Sequence, residues 1–260
     1  MTFKVDLNCD LGEYQSSFEE RKEVAIMPLI SSANIACGLH AGDDNSIRTT
    51  IRRAWEFGVG IGAHPSFPDR ENFGRKAMVL SEARLREIVC RQMEEFANHA
   101  IACNVNMTHV KAHGAMYNMA ASDLRIASVI CETVAKFDPE ILIFGLANSQ
   151  WVIAAEGAGL RIVEEGFSDR RYLSSSELVP RVEKNALITD IAESEKQVLK
   201  MVRQNLVTSL DGIDHHLVPD TICIHGDSPE AYSIAKNLRS SLELKGYRFR
   251  ILSALIIKFR

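Results

Sequence analysis

Four histidines share one setting. His40, His64, His113 and His225 each follow a short apolar run and sit beside small residues, in ANIACGLHAGD (33–43), VGIGAHPS (59–66), THVKAHGAMYN (108–118) and TICIHGDSP (221–229). Acids recur in the same way: VDLNCDLGE (5–13) carries Asp10 and Glu13, two of the histidine runs carry Asp43 and Asp227, and IVEEGFSDRRY (162–172) carries Asp169 next to Arg170. Polar side chains cost free energy to bury unless they are partnered, so apolar runs that end this way predict strand ends that converge on one site. An imidazole beside a carboxylate can serve as general base and acid, or bind zinc, manganese or non-haem iron. No HxH pair fixes a ligand spacing, and the expectation is acid–base chemistry with no tightly bound metal.

Each of these residues also has a plainer reading. Asp43 and Asp227 stand where aspartate caps a helix N-terminus. Asp10 can cap a turn, with Glu13 left in solvent. One strand histidine is usually a satisfied structural residue, but four at equivalent ends point to a shared site. Lys111 lies two residues before His113, which puts both on one side of a strand. With Arg75 and Arg170 it offers fixed positive charge to a carboxylate, a phosphate or an oxyanion; Arg75 and Arg171 also read as solvated surface.

Several chemistries are excluded. The sequence has no GxxxxGK[ST] phosphate loop and no GxSxG elbow. Residues 58–63 match a dinucleotide pattern by letters only, because their glycines run into a strand instead of out of one. The six cysteines form no CxxC pair or zinc-ribbon spacing and read as reduced core thiols, with Cys9, Cys37 and Cys223 near enough to the polar ends for a reactive role. A formal charge of -4 argues against a nucleic-acid surface. No leader pattern opens the chain and no apolar run approaches the roughly 18 residues that span a bilayer. The expected location is cytoplasmic, without membrane or nucleic-acid partners.

The elements that must position these residues alternate. Seven Val- and Ile-rich strands are expected near Val5, Ile35, Ile61, Val110, Ile143, Val163 and Ile224, with 249–257 as a weaker eighth, and none alternates cleanly. Helices are expected from Ser46 to Phe57, with Ile47, Ile51, Ala54 and Trp55 on the apolar face, after Ser81, from Ser122 or Asp123, and from Ser228-Pro229-Glu230 to Gly246. Residues 186–189 and 206–209 could pair as a hairpin around a helix at 191–203. Reactive residues at nearly every strand end favour a (β/α) barrel over an open sheet with one switch point. With no linker or repeat, residues 1–260 read as one α/β domain.

Taken together, DLNCDLGE, NIACGLHAGD, GAHPSFPD, FGRK, HVKAHGAMYN, EGFSDRRY, LVPR and TICIHGD resemble the LamB/YcsF family of bacterial 5-oxoprolinase A subunits, in consistent order over nearly the whole chain. This sequence has Ala112 and Ser168 where proline and alanine are usual, and Ser174-Ser175-Ser176-Glu177 before LVPR, leaving the His, Lys, Asp and Arg positions in place. The resemblance implies an irregular (β/α) barrel of about seven parallel strands, related to the glycoside hydrolase/deacetylase barrels. It also implies ATP-dependent ring opening of 5-oxoproline to L-glutamate together with partner subunits B and C, which would handle Mg-ATP if this chain does not. For that chemistry His40, His113 and His225 are expected to include the acid and base, oriented by Asp10, Asp43 and Asp227. Asn8, Glu13, His64, Arg75, Lys111, Asp169 and Arg170 are expected to bind substrate and phosphate. A metal-dependent deacetylase or polysaccharide hydrolase, and a non-catalytic ligand-binding protein within such a complex, are the alternatives.

Overall fold

The architecture follows from strands that are buried on both faces. In a computed structural model describing residues 3–249 and 252, β1 (Phe3–Leu11), β2 (Ser32–Ala36), β3 (Gly60–His64), β4 (Met107–Lys111), β5 (Leu142–Leu146) and β6 (Arg161–Phe167) run parallel in chain order. A separate antiparallel pair, β7 (Leu206–Thr208) and β8 (Asp214–His216), precedes β9 (Thr221–Ile224). β9 pairs with both β6 and β1 and closes a seven-stranded barrel. β10 (Tyr247–Phe249) adds to the first three residues of β1, ahead of the point where β9 takes over. Only its last residue falls in the expected eighth strand; the rest of 249–257, apart from Leu252, lies outside the described residues.

Around the barrel lie α1 (Ser17–Ile26), α2 (Asp44–Glu56), α3 (Glu82–Ala102), α4 (Gly114–Ser122), α5 (Leu124–Phe137), α6 (Gln150–Gly157), α7 (Ile191–Gln204) and α8 (Ala231–Leu244). Ser81 caps α3 and Asp123 caps α5 through side-chain bonds to backbone N–H groups. Three expectations need correction. Trp55 is 61% exposed, since the buried face of α2 is made by Ile47, Thr50, Ile51 and Ala54. α8 begins at Ala231, with the Ser228 hydroxyl accepting from the Glu230 N–H in the preceding turn instead of capping the helix. The hairpin partner of β7 is β8, because residues 186–189 instead run beside the exit of β6, where Arg171 N and Ile188 N bond the carbonyls of Ala186 and Asp169.

The barrel interior is chemically divided. On β1, Leu7, Cys9 and Leu11 join the core beneath the helices, while Asp6, Asn8 and Asp10 point inward. The first strand therefore does alternate, with polar residues on the interior side. Asn34, His109, Lys111 and Thr221 continue this polar half. Leu142, Phe144 and Val163 form an apolar patch on the β5–β6 side, packed by Leu252. His109 stacks on Phe144 with centroids 4.2 Å apart, and it fits because residue 62 is glycine: a Cβ there would lie 2.3 Å from its ring.

Candidate active site

At the C-terminal mouth of the barrel, where (β/α) barrels place their reactive groups, lies a cavity of about 470 Å³. Asp10, His64, Lys111 and His113 form one part of its wall, and Arg75, Arg170, Arg181 and His225 another, with Leu146, Phe167 and Leu178 supplying apolar surface. Lys111 is buried, and its Nζ lies 3.0 Å from Asp10 Oδ1, 2.9 Å from Glu165 Oε1, 3.2 Å from Asn8 Oδ1 and 3.1 Å from Cys223 Sγ. Burial alone would depress its pKa, but the surrounding Asp10, Cys223 and Glu165 hold it well above the ordinary value. Burial would likewise raise Asp10, and His64 and Lys111 overcome this and keep it ionised, well below the carboxylate range. Glu165 is in turn fixed by Asn8 Nδ2 at 2.8 Å and Tyr117 OH at 2.7 Å.

On one side of Lys111 three histidines and an acid close together. His64 Nδ1 donates to the Lys111 carbonyl at 2.7 Å and His113 Nε2 donates to the Phe73 carbonyl at 2.9 Å. Their other nitrogens, His64 Nε2 and His113 Nδ1, face each other at 2.9 Å. Glu13 Oε1 lies 3.4 Å from His113 Nδ1, 3.9 Å from His64 Nε2 and 2.9 Å from His40 Nε2. The His40 ring stacks flat on His113 with centroids 3.8 Å apart. One donor atom from each of Glu13, His40, His64 and His113 lies within 4.8 Å of the others. Burial, then neighbouring Asp10, pushes Glu13 up to about 8, and burial holds His40 and His113 well below the ordinary imidazole value. Gly114, at φ +56°, keeps the preceding loop close: a Cβ there would meet the Gly74 carbonyl at 2.6 Å, beside Phe73, whose carbonyl accepts the His113 N–H.

On the other side stands one imidazole. His225 Nδ1 donates to Asp169 at 2.8 Å, and its backbone N–H donates to the same carboxylate at 3.1 Å. Burial would raise Asp169, but the His225 ring and these bonds hold it below the usual carboxylate value. With Nδ1 carrying the proton, the lone pair of His225 is on Nε2. Asp227 ties together Arg75 and Arg181, the latter at 3.1 Å. Arg170 gives one N–H to the Val179 carbonyl at 2.6 Å while its Nε is buried without a partner; burial and Arg181 lower its pKa to about 10.

Asp10, His64, Arg75, Lys111, His113, Arg170 and His225 thus meet at the cavity. Glu13 and His40 stand behind that wall, Asp169 behind His225, and Asn8 below Lys111 inside the barrel, where it bonds Asn34, Glu165 and Thr221 instead of lining the cavity. Asp43 does not join them: its carboxylate accepts from Asn45 N and Ser46 N in a capping box. The solvated reading of Glu13 is overturned, since Glu13 is buried among the histidines. Sequence reasoning misses Glu165, Tyr117 and Arg181. The available signal for Glu165 is its place on the same inward pleat as Phe167, and for Arg181 the LVPR motif. Cys9, Cys37 and Cys223 are buried thiols pushed up by burial, unlike activated nucleophiles.

A closed parallel (β/α) barrel with an acid-, lysine- and histidine-lined mouth is the class these features define. Its sequence matches the LamB/YcsF family over residues 5–256, and the chain belongs to that family. The A subunit of 5-oxoprolinase from Bordetella parapertussis is 42% identical over 93% of this chain and 96% of its own length. The crystal structure of a lactam utilization protein from Thermus thermophilus superposes at TM-score 0.88, with 38% identity over 96% of this chain and 100% of that one. A peptidoglycan N-acetylglucosamine deacetylase domain from Eubacterium rectale, at TM-score 0.52 and 9% identity over 97% of this chain and 90% of its own, shares the fold alone. Among the described residues, no helix is long and apolar enough to cross a membrane.

Proposed function

We propose that this chain is the ring-opening component of a cytoplasmic, ATP-dependent 5-oxoprolinase that converts 5-oxoproline to L-glutamate with two partner subunits. The observation that carries the reading is the His225–Asp169 pair facing a cavity whose polar wall also carries Lys111, Arg170 and Arg75. Relatives and a solved structure whose names refer to 5-oxoprolinase and lactam utilization support it.

A five-membered lactam is a stable amide. Transfer of the ATP γ-phosphoryl group to its oxygen, with loss of the ring N–H proton, makes the ring carbon electrophilic. This chain has no phosphate loop, so the partners are assigned that transfer. Water then adds to the ring carbon as His225 Nε2 takes its proton. His225 hands that proton to the ring nitrogen, then takes the second proton of the added water from the adduct hydroxyl as the carbonyl re-forms and delivers it to the same nitrogen, so that the C–N bond breaks with an amine, not an amide anion, as the leaving group. The open acyl phosphate releases phosphate to a second water. Arg170 and Arg75 hold the substrate carboxylate and the phosphoryl group, and Lys111 stabilises the oxyanion.

The test is glutamate formation from 5-oxoproline and ATP, with this chain alone and with its two presumed partner subunits, comparing wild type and His225→Ala. Glutamate from the full mixture only, lost in the variant, is expected. Full activity with His225→Ala would remove the assigned base, and no glutamate from the full wild-type mixture would remove the function.

A further inference from the structure

The proton arrangement in the His64–His113 pair points to a ligand. A carbonyl oxygen can only accept, so the 2.7 Å bond to the Lys111 carbonyl puts the His64 proton on Nδ1, and the 2.9 Å bond to the Phe73 carbonyl puts the His113 proton on Nε2. Both remaining lone pairs then point at each other across 2.9 Å. Two neutral rings repel in that arrangement, which requires a positive charge between them: an extra proton or a metal cation. A remote ring N–H anchored on a backbone carbonyl is also how metal-binding histidines are fixed in tautomer and orientation.

His40 behaves differently. Its Nδ1 is buried without a partner, so the neutral ring keeps its proton on Nε2 and donates to Glu13 Oε1 at 2.9 Å. That bond aims the Glu13 oxygen at the two lone pairs, 3.4 Å from His113 Nδ1 and 3.9 Å from His64 Nε2. Donors bound to zinc at about 2.0–2.2 Å in tetrahedral geometry lie roughly 3.3–3.6 Å apart. The three separations here, 2.9, 3.4 and 3.9 Å, bracket that range.

We propose that His64 Nε2, His113 Nδ1 and Glu13 Oε1 bind one first-row divalent cation of the zinc class, with His40 as the residue that positions Glu13. Two imidazoles and a carboxylate suit this class and leave a coordination position open, and His64 and His113 line the cavity, which supplies the entry path. Asp10 Oδ2, 3.4 Å from His64 Nε2, is the next carboxylate oxygen; its partner Oδ1 is already occupied by Lys111 and Asn34. This replaces the expectation of no bound metal, and it stands independently of the ring-opening reading.

The experiment strips the full-length protein with a chelator, reloads it with zinc or cobalt(II), and measures metal per chain by plasma mass spectrometry, affinity by calorimetry and the cobalt d–d spectrum, without turnover. One equivalent per chain is expected, with an absorption typical of low-coordinate, nitrogen-ligated cobalt. Glu13→Gln, nearly isosteric, and His113→Ala should each weaken binding by more than about 100-fold, and His40→Ala by about 10–100-fold. Folding of each variant is checked by circular dichroism, and if His113→Ala does not fold, Glu13→Gln decides. Less than stoichiometric metal in the reloaded wild type, or wild-type affinity in a folded Glu13→Gln, overturns the site and leaves a shared proton between His64 and His113. Because metal is counted directly, this failure is separable from an absence of glutamate formation.

Discussion

The two histidine clusters at the mouth are built on opposite plans. In one, three rings and Glu13 are packed away from solvent, and the far nitrogens of His64 and His113 are tied to carbonyls so that their lone pairs converge. In the other, His225 is a single ring at the cavity wall whose far nitrogen is tied to a carboxylate. A carbonyl partner fixes a neutral ligand-like ring. A carboxylate partner stabilises the imidazolium that forms when the ring takes a proton. The partner of the remote nitrogen thus separates the cluster proposed to hold a cation from the one proposed to move a proton.

The sharpest break of that contrast is at His225. His225→Ala should lower the rate of glutamate formation by about 10²–10⁴-fold, the usual contribution of a positioned base, while leaving metal content at the other cluster unchanged. Asp169→Asn should lose much of the same factor. The double variant should be little worse than His225→Ala, because the pair acts as a unit. Additive losses in steady-state assays would show that Asp169 acts apart from His225.

Lys111 joins the clusters electrostatically, since it lies between Asp10, which touches His64, and Glu165 on the far side. Removing one partner of a buried ion pair leaves charge uncompensated and costs about 3–5 kcal/mol. Lys111→Met should therefore destabilise the fold by about that amount in urea unfolding as well as abolish activity. A loss under about 1 kcal/mol, the range of exposed pairs, would show that water compensates the two carboxylates.

A smaller effect comes from the barrel floor. Asp6 shares β1 and its inward face with Asp10, but its partners are hydroxyls of Ser32 and Thr221, not cations, and burial raises it from 3.8 to about 6. On raising the pH, the unfolded chain ionises first, so stability falls between about pH 4 and 6, and is level above that once the folded form also ionises. The loss is about 3 kcal/mol for a shift of this size. Asp6→Asn should remove it, so the variant's stability relative to wild type should improve by about that amount from about pH 4 to pH 7; equal pH profiles would show that Asp6 ionises normally.

The fold is legible in the sequence because strand composition, helix caps and reactive strand ends all point to a barrel, and the seven expected strands are the seven that close. What is not legible depends on direction. Asp6, Asn8 and Asp10 alternate with Leu7, Cys9 and Leu11 along a strand, and only barrel closure shows that the polar side faces inward. Glu165 carries no motif of its own and is defined by partners far along the chain, Tyr117 and Asn8. Residues 186–189 pair differently from expectation because a short run specifies strand tendency but not which edge is free.

The least costly test concerns two aspartates with a similar local layout. His40-Ala41-Gly42-Asp43 and His225-Gly226-Asp227 both place an acid after a glycine turn, and either could be a cap or a site residue. The structure separates them: Asp43 accepts backbone N–H groups, from Asn45 at 3.0 Å and Ser46 at 2.8 Å, while Asp227 faces Arg75 and Arg181. Burial would raise Asp227, but Arg181, His225 and Arg75 keep it far below the ordinary carboxylate value. Asp43→Ala should cost about 1 kcal/mol, read as a melting shift of roughly 2–4 °C, with metal content and turnover unchanged. Asp227→Ala frees two arginines at the cavity rim and should change KM for 5-oxoproline or phosphate inhibition more than it changes melting. If the two variants behaved alike, the partner of each acid would not decide its role, and the contrast between the two clusters would lose the same support.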